Sequence, residues 1–316
     1  MRISRFFSPT VTLTDYVDLI VGCEAAGFDG AWIPDAMSWD ALTVSALVGA
    51  RTSTLRVGTA VVPAYPSHPL TLAGKAMSTQ AAAGGRFTLG LGTSHQFVVE
   101  QVWGMSFARP RQFMSEYLDI LIPAMQQEQV AFHGEQLTGA LPRALVLPGV
   151  QPPPVFLAAM GPAMLRLAGA HADGTITWLT GPRTLADHIV PTITTAAAEA
   201  GRPAPTIVAG LPVCVTNDVE DARKRAAVEY QVYDNFPSYR AMLDREGHAV
   251  AGDVALIGSA AQIAESVHGL REAGVTEMYA EIFGTDEEIA ATVEVLTGLA
   301  RSQSGPNDAA LLKHSR

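Results

Sequence analysis

Lysine is almost missing from this chain: only Lys75, Lys224 and Lys313 are present, and 21 basic residues stand against 31 acidic ones for a formal net charge of −10. A nucleic-acid binder gathers basic side chains on one face, and no such stripe is visible, so DNA and RNA are not expected partners. Cysteine is also scarce. Cys23 and Cys214 form no CxxC pair and have no histidines at ligand spacing, which argues against a zinc site or any other metal site and leaves two buried thiols as the expectation. No apolar run is long enough to span a bilayer, and residues 1–7 lack the apolar stretch and cleavage pattern of a signal peptide, so no membrane partner and a cytoplasmic location are expected. HExxH, GxSxG and P-loop patterns are absent too, which puts a lyase or hydrolase last among the alternatives. No low-complexity linker divides the chain, so one domain is expected over residues 1–301, with a flexible tail over 302–316.

What is present is a rhythm. Leu55 to Pro69 reads LRVGTAVVPAYPSHP and Gly84 to His95 reads GGRFTLGLGTSH. Each begins as a short apolar run suited to a strand covered on both faces, then breaks into small, turn-forming or polar residues, as happens where backbone approaches a ligand. The same unit recurs. Strands are predicted at Ile3–Phe7, Phe28–Pro34, Leu55–Val62, Phe87–Gly92, Val155–Ala159, Thr175–Leu179, Ile207–Val215 and Met278–Phe283. Helices are predicted between them: Thr14 to Ala26, Asp40 to Ala50, His68 to Ala83, Arg111 to Gln127, Ala163 to Ala170, Leu185 to Ala200, a charged helix after Asp218 or Asp221, Ser259 to Ala273, and Asp286 to Ala300. Tyr230 to Asp253 has no clear pattern, and a proline-rich insertion follows strand 4 through about Pro153. Eight alternating units over 250 to 300 residues define an α/β fold of the (β/α)₈ TIM-barrel class with an insertion after strand 4; an open doubly wound sheet rarely needs eight.

The C-terminal strand ends carry the βα loops of such a barrel and hence its site. They read Pro34–Asp35, Thr59 to Pro63, Gly92–Thr93–Ser94–His95, Ala159–Met160–Gly161–Pro162 and Trp178–Leu179–Thr180. As a dinucleotide fingerprint GLGTSH is weak, because its third glycine is missing. Met160 and Gly161 before Pro162 suit a phosphate, since free amides and the helix dipole favour an anion there. His95 suits proton transfer, or merely a loop carbonyl. Asp35 suits a helix cap as well as a site, and Trp178 a core position as well as a pocket wall.

The runs VGTAVVPAYPSHP, GGRFTLGLGTSH and FLAAMGPAMLRLAGAHADGTITWLTGP together resemble the bacterial luciferase-like superfamily, and within it the branch using the deazaflavin coenzyme F420. The resemblance runs from Met1 to about Leu299. It implies an oxidoreductase moving a hydride between the deazaflavin C5 and a small organic substrate. It also implies a non-prolyl cis peptide between Ala60 and Val61 beneath the ring, Asp35 near the ring, Thr93 and Ser94 on the cofactor, and Met160–Gly161 at its phosphate. Trp178 would line the pocket, and His95 would replace a glutamate acid of the sugar-phosphate dehydrogenase branch. That branch has a histidine where Ala36 stands and a lysine near Gly181, so a phosphorylated sugar is not the expected substrate. Arg109, Arg111 and Arg183 are candidates for the anionic coenzyme tail, and related barrels often pair as homodimers. The alternatives are an FMN-dependent monooxygenase and a non-enzymatic flavin-binding protein on the same barrel.

Overall fold

In the computed structural model, which describes residues 1–303, eight parallel strands close on themselves. They are β1 (Arg2–Phe6), β2 (Gly30–Ile33), β3 (Arg56–Thr59), β4 (Phe87–Gly92), β5 (Val155–Ala158), β6 (Gly174–Trp178), β7 (Thr206–Val215) and β8 (Glu277–Ile282). Each pairs with the next, and β8 pairs with β1 in register from Arg2 opposite Glu277 to Phe6 opposite Glu281. This is a (β/α)₈ TIM barrel, as the strand count required.

The enclosing helices are α1 (Leu13–Ala26), α2 (Ala41–Arg51), α3 (Pro69–Ala82), α4 (Pro110–Met125), α5 (Pro162–His171), α6 (Val190–Glu199), α7 (Val219–Glu229), α8 (Pro237–Glu246), α9 (Ala260–Glu272) and α10 (Asp286–Gln303). Their starts show why they begin where they do. The α1 helix opens at Thr12 rather than Thr14, because the Thr12 hydroxyl accepts from the Asp15 amide. Asp40, Asp218 and Ser259 cap α2, α7 and α9 in the same way. The α10 helix continues through Ser302 and Gln303, where a tail was expected; the rest of that expected tail, 304–316, lies outside the described residues.

Side chains alternate across each strand, which divides the interior in two. Ile33, Leu157 and Ala209 face the helices, whereas Trp32, Phe156, Ile176, Val208 and Tyr279 form a separate buried cluster inside the barrel. Cys23 and Cys214 are buried free thiols, and no group of residues able to hold a metal occurs among the described residues. No described helix is long and apolar enough to cross a membrane.

Three segments depart from expectation. The run expected as one strand to Val62 stops at Thr59, then resumes as a two-residue pairing of Val62–Pro63 with the end of β4. The insertion after β4 is mostly α4 and an antiparallel hairpin, Ala131–His133 with Thr138–Ala140. The unreadable stretch from Tyr230 holds α8 between two short 3₁₀ turns.

Candidate functional site

The break in β3 is built by its neighbour. Thr59 Oγ1 donates to the Gly90 carbonyl at 2.8 Å and accepts from the Gly90 amide at 2.9 Å, so a side chain replaces the missing strand ladder. The Ala60–Val61 peptide that follows is cis, as the resemblance implied. Gly92 lets this segment approach, since a Cβ there would sit 2.8 Å from Val61 Cγ2. At the end of β4, Ser94 adopts the left-handed conformation with φ 59°, and Thr93, Ser94 and His95 all border one large cavity.

That cavity, of about 970 Å³, occupies the C-terminal mouth of the barrel. Small-molecule and cofactor sites reach about this size. Ala60, Val61, Met160 and Gly161 line one side of it. Gly161 is the N-cap of α5 and no side chain caps that helix, so its first-turn amides keep their donor capacity at the cavity edge. Below, Trp178 lies flat against Tyr279, with ring centroids 5.9 Å apart and planes at 7°, and Phe6 stacks on both. Above, His95 stacks on Phe236 at 4.2 Å and leans toward Tyr239.

The His95 ring makes no hydrogen bond to a described residue, and burial pushes its pKa down. It is therefore a neutral imidazole at neutral pH, with one nitrogen able to donate and one to accept. Asp35 stands just outside the lining, between Pro34 and Ala36, which do face the cavity. Burial and the nearby Asp40 charge raise its pKa to about 6, against the Ala41 amide and Lys75, which pull it down.

Eight of the nine positions named from sequence border the cavity; Asp35 flanks it. The three arginines do not reach it. Arg109, just before α4, pairs with Glu135 in the turn of the hairpin, Arg183 pairs with Asp187 one turn on, and Arg111 is exposed on α4. No lysine or arginine occurs among the cavity-lining residues. Sequence reasoning also missed Glu281, at the end of β8, which accepts from the Ser8 hydroxyl at 3.0 Å and whose pKa burial pushes up. The alternation Glu277, Tyr279, Glu281 in β8 was the available signal, since it places all three inward.

Residues 2–299 match the luciferase-like monooxygenase family. The chain belongs to that family. Among its relatives is a 5,10-methylenetetrahydromethanopterin reductase of Methanolobus tindarius, 27% identical over 321 residues, covering 96% of this chain and 94% of the relative. A coenzyme F420-dependent tetrahydromethanopterin reductase from Methanopyrus kandleri superposes with a TM-score of 0.81 at 20% identity, covering 96% of this chain and 99% of the other. The oxygenating constituent of 3,6-diketocamphane monooxygenase from Pseudomonas putida, a type II Baeyer–Villiger enzyme in complex with FMN, superposes with a TM-score of 0.76 at 17% identity, covering 95% and 97%. At those identities the two structures share the fold. Flavin-type oxidoreductases using F420 or FMN thus surround this luciferase-like chain.

Proposed function

We propose that this protein is an F420-dependent oxidoreductase that passes a hydride between the coenzyme ring and a small organic substrate held in the cavity at the barrel mouth. The observation that carries it is the pairing, in one cavity, of a wall of small residues at Ala60, Val61 and Gly92 with an imidazole that has no hydrogen-bond partner among the described residues. The donor set fits the coenzyme's ring and phosphate: uncapped α5 amides at Gly161 suit an anion, and a Cβ at Gly161 would meet nothing within 4 Å.

The bound coenzyme would supply the two-electron chemistry. Ala60 and Val61 would support its ring, Thr93 and Ser94 would position it, Met160 and Gly161 would hold its phosphate, Trp178 would close the wall, and Asp35 would act from beside it. His95 would hydrogen-bond the substrate heteroatom and transfer the proton that accompanies hydride movement, in either direction. Phe236 fixes the imidazole plane by stacking and Tyr239 adjoins it, so the proton is delivered from a set direction with bulk water reduced. The protein is also taken to work in the cytoplasm on a small molecule, with two copies able to pair; light scattering in solution tests the pairing.

A second reading is favoured by one observation. The lining offers no lysine or arginine to the long anionic tail of F420, whereas FMN brings only a phosphate, so an FMN-dependent monooxygenase is the rival. Titrating the purified protein with F420 and with FMN, followed by coenzyme fluorescence anisotropy, separates them. Binding of F420 with single-turnover oxidation of its reduced form by a substrate supports the proposal. Tight FMN binding without an F420 response replaces it with the rival, and binding without any turnover across a broad substrate panel favours a carrier.

A further inference from the structure

The strand order sets two unlike walls facing each other. In an eight-stranded ring β8 lies diametrically across from β4, so Glu281 stands opposite Ser94 and His95. Its surroundings are aromatic. Tyr230 and the Ser8 hydroxyl hydrogen-bond to it, and its charge is felt by Tyr233 and Tyr279. Those rings continue into Trp178, which meets Tyr279 face to face and Tyr233 edge-on at 6.3 Å. The remaining carboxylate of the lining, Glu100, is on the helical turn Val98–Val102 that follows β4 and accepts from Gln96.

Resting on the assignment of this cavity as the substrate site, we infer that the substrate is an organic cation, an alkyl- or arylammonium whose charged end docks against Glu281 beside the partly exposed rings of Trp178 and Tyr233. Two independent features point there. A carboxylate beside indole and phenol rings attracts cations through charge and, where a ring is accessible, through its quadrupole. The cavity lining carries no lysine or arginine, and its anion-suited amides are at Gly161 on α5, so at the Glu281 side a carboxylate or phosphate ester would meet a like charge. Burial raises the Glu281 pKa, and an ammonium beside it would restore the charged form at no further desolvation. The reacting end of the molecule would then extend across the mouth toward His95.

The test uses three probes of one shape: benzylammonium, benzyl alcohol and benzoate. Binding to the purified protein is read by calorimetry and by tryptophan fluorescence, without added coenzyme and again with F420 or FMN. The expected order is ammonium tighter than alcohol by tenfold or more, with benzoate weakest, and with ammonium affinity alone falling as salt is raised. The Glu281→Gln variant should lose about tenfold for benzylammonium and leave benzyl alcohol unchanged. Equal affinity for ammonium and alcohol in the unaltered protein, tighter benzoate binding, or full ammonium affinity in E281Q overturns the inference. The probe series on the unaltered protein decides even if E281Q does not fold. A failed coenzyme titration beside an intact ammonium preference removes the oxidoreductase proposal alone; the reverse pattern removes only the cation.

Discussion

Glu277 and Glu24 at the N-terminal end of the barrel are treated in the opposite way from Asp35 and Glu281 at its C-terminal end. At the N-terminal end Glu277 is 3% exposed yet satisfied, accepting from Arg2 Nε at 2.8 Å, Ser4 Oγ at 2.7 Å and Trp32 Nε1 at 2.7 Å. Nearby, Glu24 Oε1 collects the amides of Ser53, Thr54 and Leu55, which hold its pKa down at about 2. At the C-terminal end Asp35 is pushed up to about 6 and Glu281 upward, while His95 is pushed down and its ring makes no hydrogen bond to a described residue. Donors aimed at a charge convert it into stability, and burial without enough donors leaves it available to a ligand.

The largest effect expected from testing this contrast is at Glu277. Glu277→Ala strips three donors of their acceptor, two of them on buried residues, and should cost about 3 kcal/mol by denaturant unfolding while leaving coenzyme affinity of the folded fraction unchanged. Unaltered unfolding would break the contrast at its strongest point. At the other end, His95→Phe keeps a ring to stack on Phe236 but removes the proton carrier. Its single-turnover rate should fall about 100-fold, with stability and coenzyme affinity within error of the parent; a rate within threefold would reduce His95 to a wall.

Two smaller effects should show opposite pH signs. Because the Glu24 pKa is lowered on folding, its contribution is present above the ordinary carboxylate range and fades as pH falls toward about 2. Glu24→Gln should therefore lose about 1.5 kcal/mol at pH 7 and progressively less in acid. Asp35, raised to about 6, has the reverse linkage: native stability falls as pH climbs from its ordinary value of 3.8 through 6. Asp35→Asn should gain about 1 kcal/mol at pH 7, after discounting for solvent screening, and nothing at pH 4. Thermal melts of both variants at several pH values check the pair; slopes of the same sign would erase the distinction between the ends.

Much of this architecture was legible because barrel strands buried on both faces read as short apolar runs, and glycine, proline and capping residues punctuate them. Phe87–Gly92 falls on its predicted bounds. The interruption after Thr59 was invisible to pattern alone, since Thr-Ala-Val-Val suits a continuous strand and the break depends on a side-chain bond to Gly90 thirty-one residues away. Only the resemblance to luciferase-like barrels indicated it. The aromatic roof was missed for a different reason: Tyr230, Tyr233, Phe236 and Tyr239 recur every three residues, but they straddle a 3₁₀ turn and the start of α8 at Pro237, and three of the four rings border the cavity. The arginines stayed open candidates because sequence shows a charge but not its partner; Glu135 and Asp187 engage Arg109 and Arg183.

The closure of β1 onto β8 has a consequence for how the molecule is made. Arg2 to Phe6 find one of their two neighbours only in residues 277 to 281, so during synthesis the first strand waits with an open edge until most of the chain has emerged from the ribosome. Any half-barrel formed earlier must expose Trp32 and its interior companions to the surrounding solution, which makes the nascent chain, more than the finished protein, the form in need of chaperones.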